Sequence, residues 1–313
     1  MSKIQLAILK YAIKRIVMII PLLFFITVLV FIMLKFAPGD PAVLMLGPEA
    51  TVEKIEQVRV ELGLNKPLYI QVWDFIIQLI LHGDLGRSYQ SRRPVIDEIA
   101  RTLPISAQLA LNGMLISTFI AVFIGVLSAV KQYSFLDNVV KIIVLTGVSM
   151  PVFWLGLVMI VVFSVYFGIL PSAGWGDWQH MILPSLTIAV YPLAILTRLT
   201  RSSMLEVIQQ NYIRTARSKG LSENAVIYKH ALRNAFIPVI TVIGIQFGGL
   251  ISSAVLTETV FAIPGMGRLI VESIFNRDYA IIRGVILVTA LIFIIINLIV
   301  DLSYSFFDPR IKY

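Results

Sequence analysis

The residues best placed to do chemistry here are cations. Arg214, Arg217 and Lys219 fall within six positions of one another between two long apolar runs, next to Gly220 and Leu221. Guanidinium and ammonium groups on a short polar stretch can engage acidic groups on a partner, but they carry no machinery for breaking a covalent bond. The groups that would do so are missing. There is no cysteine, so no thiolate nucleophile, disulfide or cysteine metal site. No Gly-x-x-x-x-Gly-Lys-Ser/Thr loop cradles a phosphate, no His-Glu-x-x-His holds zinc, and no Gly-x-Ser-x-Gly elbow presents a serine. His82, His180 and His230 are isolated from one another in the sequence and read as solvated or interfacial side chains. The chain is therefore expected to be no enzyme, to hydrolyse no ATP itself, and to need neither metal nor cofactor.

A few polar residues sit where polarity is expensive. Gln246 and Glu258 lie in or near one apolar run, and intramembrane polar groups usually face a helix bundle or a pathway. Gln246, between Gly244 and Gly248, is equally suited to bonding a neighbouring helix. Glu258 is near enough to the end of its run to be solvated. Met150-Pro151 interrupts another run and reads as a hinge or a fixed kink, since proline frees a backbone carbonyl.

The elements that position the cations are helical. Leu205, Ile208, Tyr212 and Ala216 recur at spacings of three and four, the period of one apolar stripe. Gln209, Gln210, Arg214, Arg217 and Ser218 fall on the remaining surface, with Thr215 alongside. Gly220 ends the helix because glycine enters the left-handed conformation cheaply. Ser222 can cap a second short helix carrying Val226, Ile227 and His230. Helix, glycine turn and helix make a docking surface, with the stripe filling a partner's groove and the cations meeting acidic groups at its rim. The competing reading is a basic loop that serves only to orient the chain.

Composition places this loop in a membrane protein. The 313 residues are 58% hydrophobic and 14% charged, with mean hydropathy +0.88, too apolar for an ordinary soluble domain. Six spans are expected, about Ile16–Leu34, Pro104–Val130, Val139–Leu170, Ile182–Met204, Ala235–Val260 and Ile281–Phe306, each able to cross a core of about 30 Å. The second carries Ser106, Gly113, Ser117, Ala121 and Gly125, small enough for close helix contact. A cleaved signal peptide would have a shorter apolar centre and a small-x-small site; here the run leads into Lys35-Phe36-Ala37-Pro38-Gly39, so the first helix is expected to be retained. Residues 37–103 form the one sizeable polar stretch, with helices expected over Glu49–Gly63 and Tyr69–Leu81. The organisation is thus a tail and first helix (1–36), a helical outer loop (37–103), a five-helix core (104–306) containing the loop 205–234, and a short tail (307–313).

The net charge of +8 does not point to nucleic acid, because the cations occupy short connections between spans. Lys3, Lys10, Lys14 and Arg15 precede the first span, and Arg198, Arg201, Arg214, Arg217, Lys219, Lys229 and Arg233 cluster around one connection. The positive-inside bias then places both termini and the 205–234 loop in the cytoplasm.

Several phrases carry a family resemblance. Arg214-Thr-Ala-Arg-Ser-Lys-Gly-Leu-Ser-Glu223 is followed by His230-Ala-Leu-Arg-Asn-Ala235. Ala37-Pro-Gly-Asp-Pro41, Gly83-Asp-Leu-Gly-Arg-Ser88, Pro264-Gly-Met-Gly-Arg268 and Asn276-Arg-Asp-Tyr279 stand in the same order as in the dipeptide/oligopeptide/nickel branch of ATP-binding-cassette importer permeases. The chain resembles that branch over nearly its whole length. Against the wider family's Glu-Ala-Ala loop it keeps Ala216, Gly220 and Leu232 and departs at Arg214, Thr215, His230 and Arg233. The resemblance implies an all-α integral membrane protein with the type I importer permease (MetI-like) fold, in a prokaryotic cytoplasmic membrane. It implies a second, homologous permease as partner in a heterodimer, two cytoplasmic ATPases and an extracytoplasmic solute-binding protein. It also implies alternating access for peptides or similar solutes, with glutathione, nickel chelates and sugar oligomers carried by relatives. On this reading the ATPase-coupling loop comprises Ile208, Tyr212, Arg214, Thr215, Ala216, Arg217, Ser218, Lys219, Gly220 and Leu221. Met150, Pro151, Gln246 and Glu258 are the pathway candidates. A self-sufficient secondary transporter would show charges near the midplane of its spans, and a membrane enzyme would need catalytic groups.

Overall fold

The computed structural model describes residues 3–47 and 50–307, with side chains described for 14–15, 17–47 and 50–300. Glu49, the side chain of Asp301, and the tail with Arg310 and Lys312 lie outside the described residues. Among the described residues all regular structure is helical. Five helices among these residues are long and apolar enough to cross a bilayer, or six if one sharply bent pair counts as a single span. The chain divides into two compact units.

The first unit takes the residues up to Ser106 together with Pro264–Ile295. It holds α1 (Lys3–Phe36), α2 (Pro41–Leu46), α3 (Val52–Glu61), α4 (Leu68–His82), the start of α5 (Val95–Val130), α12 (Met266–Phe275) and most of α13 (Tyr279–Phe307). α5 starts nine residues before the span expected at Pro104, because that proline lies inside the helix. The apolar core joins Phe31 of α1, Val72 and Phe75 of α4, Val95 and Ile99 of α5, Met266 of α12 and Ile281, Ile282 and Val285 of α13. Gly284 lets α13 approach α5: a Cβ there would lie 2.4 Å from a Val95 methyl.

The sequence phrases that carry the resemblance act as knots in this unit. Asp278 is buried and accepts from the Ser88 hydroxyl at 2.5 Å and the Tyr89 amide at 3.0 Å. Asp40 caps α2 through the Ala42 amide and accepts from Arg59. That bond, and a second to Glu56, hold the Arg59 guanidinium above its ordinary pKa. The phrase at 264–268 is tied down where the Ser106 hydroxyl accepts from the Met266 amide.

The second unit takes Ala107–Ile263 together with α13 from Ile296 on. Its long helices are the rest of α5, α8 (Trp178–Ile208) and α10 (Leu232–Ser253), with the shorter α6 (Phe135–Ser149), α7 (Val152–Met159), α9 (Asn211–Ser218) and α11 (Val255–Val260) around them. Short π-helical stretches follow α7 (Ile160–Tyr166) and precede α10 (Ala225–Ala231). The small residues of α5 do what their size suggests. Gly113 faces Ile188 and Gly125 faces Thr200 on α8, where a Cβ would lie 2.4 and 2.7 Å from the opposing side chains. Proline does not break α8: Pro184 and Pro192 lie inside it.

The expected single span from Val139 to Leu170 is not one rod. α6 and the α7 segment meet at 107°, and Met150 and Pro151 both take extended backbone (ψ 130° and 131°). Proline lacks the amide proton that would continue the helix and drives its predecessor out of the helical region. Each limb has 15 residues, about 22 Å of helix at 1.5 Å per residue, too short to cross the core alone.

Candidate functional site

The basic loop is built by a reset of helical phase. α8 stops at Ile208, Gln210 takes extended backbone (φ −69°, ψ 148°), and α9 starts afresh at Asn211. The expected stripe Leu205–Ile208–Tyr212–Ala216 therefore does not lie on one helix. On α9 the buried face is Ile213 (0% exposed) with Ala216, while Tyr212 is 44% exposed. Ile213 and Ala216 join Val126 and Ala129 of α5, Met204 of α8, Val226, Ile227 and Ala231 of the π-helical stretch and Ala235 of α10, with Ile208 packed at the edge. The apolar face thus fills this protein's own core, which corrects the expectation that it fills a partner's groove. Tyr212, Arg214, Thr215, Arg217, Ser218, Lys219, Gly220 and Leu221 are left on the exposed side.

This surface is held in shape from behind. Gly220 takes φ +76°, in the left-handed region. The Ser222 hydroxyl accepts from the Ala225 amide at 3.4 Å, starting the return stretch. Arg217 grips Glu223 across the turn, Nη2 and Nε donating to the two carboxylate oxygens at 2.6 and 3.1 Å. The guanidinium holds the Glu223 carboxyl below its ordinary pKa. A depressed acid contributes fully above its unfolded value, so this pin is complete at neutral pH and is lost only as pH falls through the lowered value. The Asn234 amide donates to the Tyr212 hydroxyl and to the His230 carbonyl, both at 3.0 Å, fixing the ring on the outer face.

Behind the loop lies a charged cluster that local sequence pattern does not reveal. Asp137 is fully buried. Arg201 of α8 donates to it through Nε at 2.7 Å and Nη2 at 3.0 Å, Ser128 at 2.5 Å and the Tyr133 amide at 3.0 Å, and Lys141 pairs with it at 2.8 Å. The cluster fastens the α5–α6 turn and the start of α6 to α8, two turns before α8 hands over to α9. A carboxylate and a guanidinium at the ends of apolar runs were the available signal; as sequence they count only toward sidedness.

The pathway candidates lie on different elements. Met150 and Pro151 form the bend, Gln246 is half-buried in α10, and Glu258 is fully buried in α11. Burial of Glu258 corrects the solvated reading. α10 ends at Ser253 and α11 restarts at Val255, so Glu258 belongs to a short separate helix packed on α7 and α8 and not to the frayed end of a straight span.

Comparison with known proteins bears on the whole chain. Residues 121–313 match the model of the binding-protein-dependent transport system inner membrane component, and residues 8–110 match the corresponding N-terminal membrane-component model. The glutathione transport system permease protein GsiC of Escherichia coli (strain K12) is 46% identical over 305 residues, covering 97% of this chain and 99% of the relative. The protein of that name from Shigella boydii is 45% identical over the same span. Among solved structures, the inward-facing MetNI methionine ABC transporter superposes with a TM-score of 0.58 at 18% identity, covering 68% of this chain and 97% of its own. An amino acid ABC transporter with histidines gives 0.52 at 15%, covering 69% and 95%. At such identities the structural likeness speaks for the fold.

Proposed function

This chain belongs to the binding-protein-dependent transport system inner membrane component family, and from that premise we propose that it forms one half of a translocation path for di- or oligopeptides or a related small solute such as glutathione. The chain is a multi-pass inner-membrane permease subunit of an ABC importer, a kind of machine that works with ATPase subunits and a binding protein. In our reading the other half is a second, homologous permease, and two cytoplasmic ATPases drive alternating access. Both termini and the α9 loop face the cytoplasm, as the distribution of Lys and Arg supports.

The observation that carries the coupling role is α9 itself. It is a short helix whose apolar side is sunk into its own unit, presenting Tyr212, Arg214, Thr215, Ser218, Lys219 and Leu221 outward around a left-handed glycine. Arg214 and Lys219 have no acidic partner among the described residues, so their charge is available to an ATPase surface. Membrane ATPase activity that appears only when the ATP-binding subunits are co-expressed tests the assignment. Uptake without them would return the chain to the secondary-transporter reading, and ATPase activity without them to the membrane-enzyme reading. Solute identity is tested on the binding protein of the same assembly, with glutathione and dipeptides as competing ligands.

The corrected helix face changes which substitutions should release the ATPases. Tyr212→Ala and Leu221→Ala are expected to reduce ATPase retention on the purified permease, because truncating exposed apolar anchors commonly costs about 2 kcal/mol of binding. Arg214→Ala should mainly steepen the salt dependence. Ile213→Ala should lower the permease's own Tm by opening a cavity in its core. Retention that survives in the Tyr212 and Leu221 variants but fails in the Arg214 variant would make docking electrostatic.

Sidedness has a direct test, since the chain has no cysteine to confuse labelling. Ser91 and Ser222 are exposed, whereas Ser88 is buried against Asp278 and would be a poor probe. An impermeant thiol reagent on intact cells is expected to modify Ser91→Cys and to spare Ser222→Cys. The opposite pattern would put α9 outside and remove the ATPase from it.

A further inference from the structure

The first unit contains a cavity of about 560 Å³ where two of the sequence phrases meet, Ala37–Pro41 on one side and Tyr279 on the other. Its cations are placed at span ends. Lys35 is the penultimate residue of α1, and Arg283 lies one turn into α13. The Arg283 guanidinium has no carboxylate among the described residues. Its Nε donates to the Tyr279 carbonyl at 3.1 Å and its Nη2 to the Tyr89 hydroxyl at 3.3 Å. Its Cζ lies 4.7 Å from the centre of the Phe31 ring and 5.6 Å from that of Phe75. Ring faces attract a cation without cancelling its charge, and a half-buried guanidinium left with only neutral partners favours an incoming anion.

The remaining charges of the cavity are already matched. Asp40, its one carboxylate among the described residues, is taken by Arg59 at 2.5 Å, and Lys66 is paired with Asp74 at 2.7 Å. Lys35 makes no described hydrogen bond or ion pair. The cavity is therefore positive at Lys35 and Arg283 and apolar along Phe31, Leu34 and Leu68. Beside it, the outer surface of α1 is bare hydrocarbon: Ile32, Met33 and Phe36 are 40%, 64% and 80% exposed at the end of an apolar span. Cations at the end of a span, with an apolar cavity wall and an exposed apolar helix face beside them, match a lipid headgroup.

We propose that this cavity binds an anionic phospholipid, its phosphate held between Lys35 and Arg283 and its glycerol and upper acyl chain against Phe31 and Leu34. The lipid would brace the end of α1 against α13 within the first unit.

The test uses the complete complex purified in detergent, with phosphatidylglycerol, inorganic phosphate and glutathione as separate additions. Native mass spectrometry and thermal melting are the readouts. Phosphatidylglycerol is expected to bind at a saturable site and raise the Tm. Inorganic phosphate at the same concentration should do neither, and glutathione should not compete. Arg283→Gln is expected to weaken lipid binding about tenfold or more. Lys35→Gln should do the same and, having no described bond to lose, keeps the test valid if Arg283→Gln folds poorly. Unchanged lipid binding by Lys35→Gln would overturn the proposal. Equal protection by inorganic phosphate would make the site one for free anions. Displacement of the lipid by glutathione would make it a solute carboxylate site.

Discussion

Asp137→Ala is expected to lower the stability of the permease by about 3–5 kcal/mol, the range for breaking a buried ion pair by removal of one partner. Asp137 is 0% exposed and serves Arg201, Lys141, Ser128 and the Tyr133 amide at once. Truncation leaves the Tyr133 amide without its acceptor, in a residue whose φ of +63° the same bond helps to hold. It also leaves Arg201, whose side chain is 19% exposed, without a counter-charge. Arg201→Ala should cost less, because Lys141 still pairs with the carboxylate, and Lys141→Ala least, since its side chain is 45% exposed and the interaction is screened. Thermal melting of the purified complex should rank the three in that order, with the Asp137 variant falling by the order of 5–10 °C. A double Asp137→Leu/Arg201→Met variant separates charge from packing, since replacing both partners by apolar groups is often close to neutral. An Asp137→Ala variant as stable as wild type would show that the cluster contributes only to local order. Because the cluster ties α6 to α8 above the α9 loop, solute uptake should follow the same ranking.

That cluster also marks the boundary of what sequence pattern reveals. Hydropathy alone locates the spans, because crossing the core needs about 20 apolar residues in a row. Gly220 was equally visible, since a glycine after an amphipathic stretch has few other uses. Pairing of Asp137 with Arg201, 64 positions apart, leaves no local trace; periodicity reports which side of a helix is buried, never against what. The face of α9 is hidden from the sequence for a related reason. Counting from Leu205 to Ala216 assumes one helix, and the extended Gln210 shifts the phase, so that Ile213 and not Tyr212 turns inward. Met150-Pro151 announces a break, because proline cannot donate, but the 107° angle is set by what each limb packs on. Burial of Glu258 follows from the interruption at Ala254, where nothing in the residues themselves stops a helix.

Gly220→Val is expected to uncouple ATP hydrolysis from transport while leaving the protein inserted and folded. Gly220 has φ +76°, and a Cβ built there would meet nothing within 4 Å. The cost is therefore one of backbone conformation, not collision. A β-branched residue in the left-handed region carries strain of about 1–2 kcal/mol or more, and relief of that strain must move Lys219, Leu221 and the Arg217–Glu223 pin that spans the turn. The spans keep their hydropathy and the Ile213–Ala216 face keeps its core, so expression and Tm should change little. Solute-stimulated ATPase activity and uptake should fall about tenfold or more, as an interface misfit of 1.4 kcal/mol already gives a factor of ten. Graded replacements make the cause visible. Gly220→Asn should stay near wild type, because asparagine tolerates the left-handed region, and Gly220→Ala should fall between. If asparagine is as damaging as valine, the glycine is required for close approach of a partner and not for its φ. If valine couples normally, the left-handed turn at Gly220 has no part in transmission.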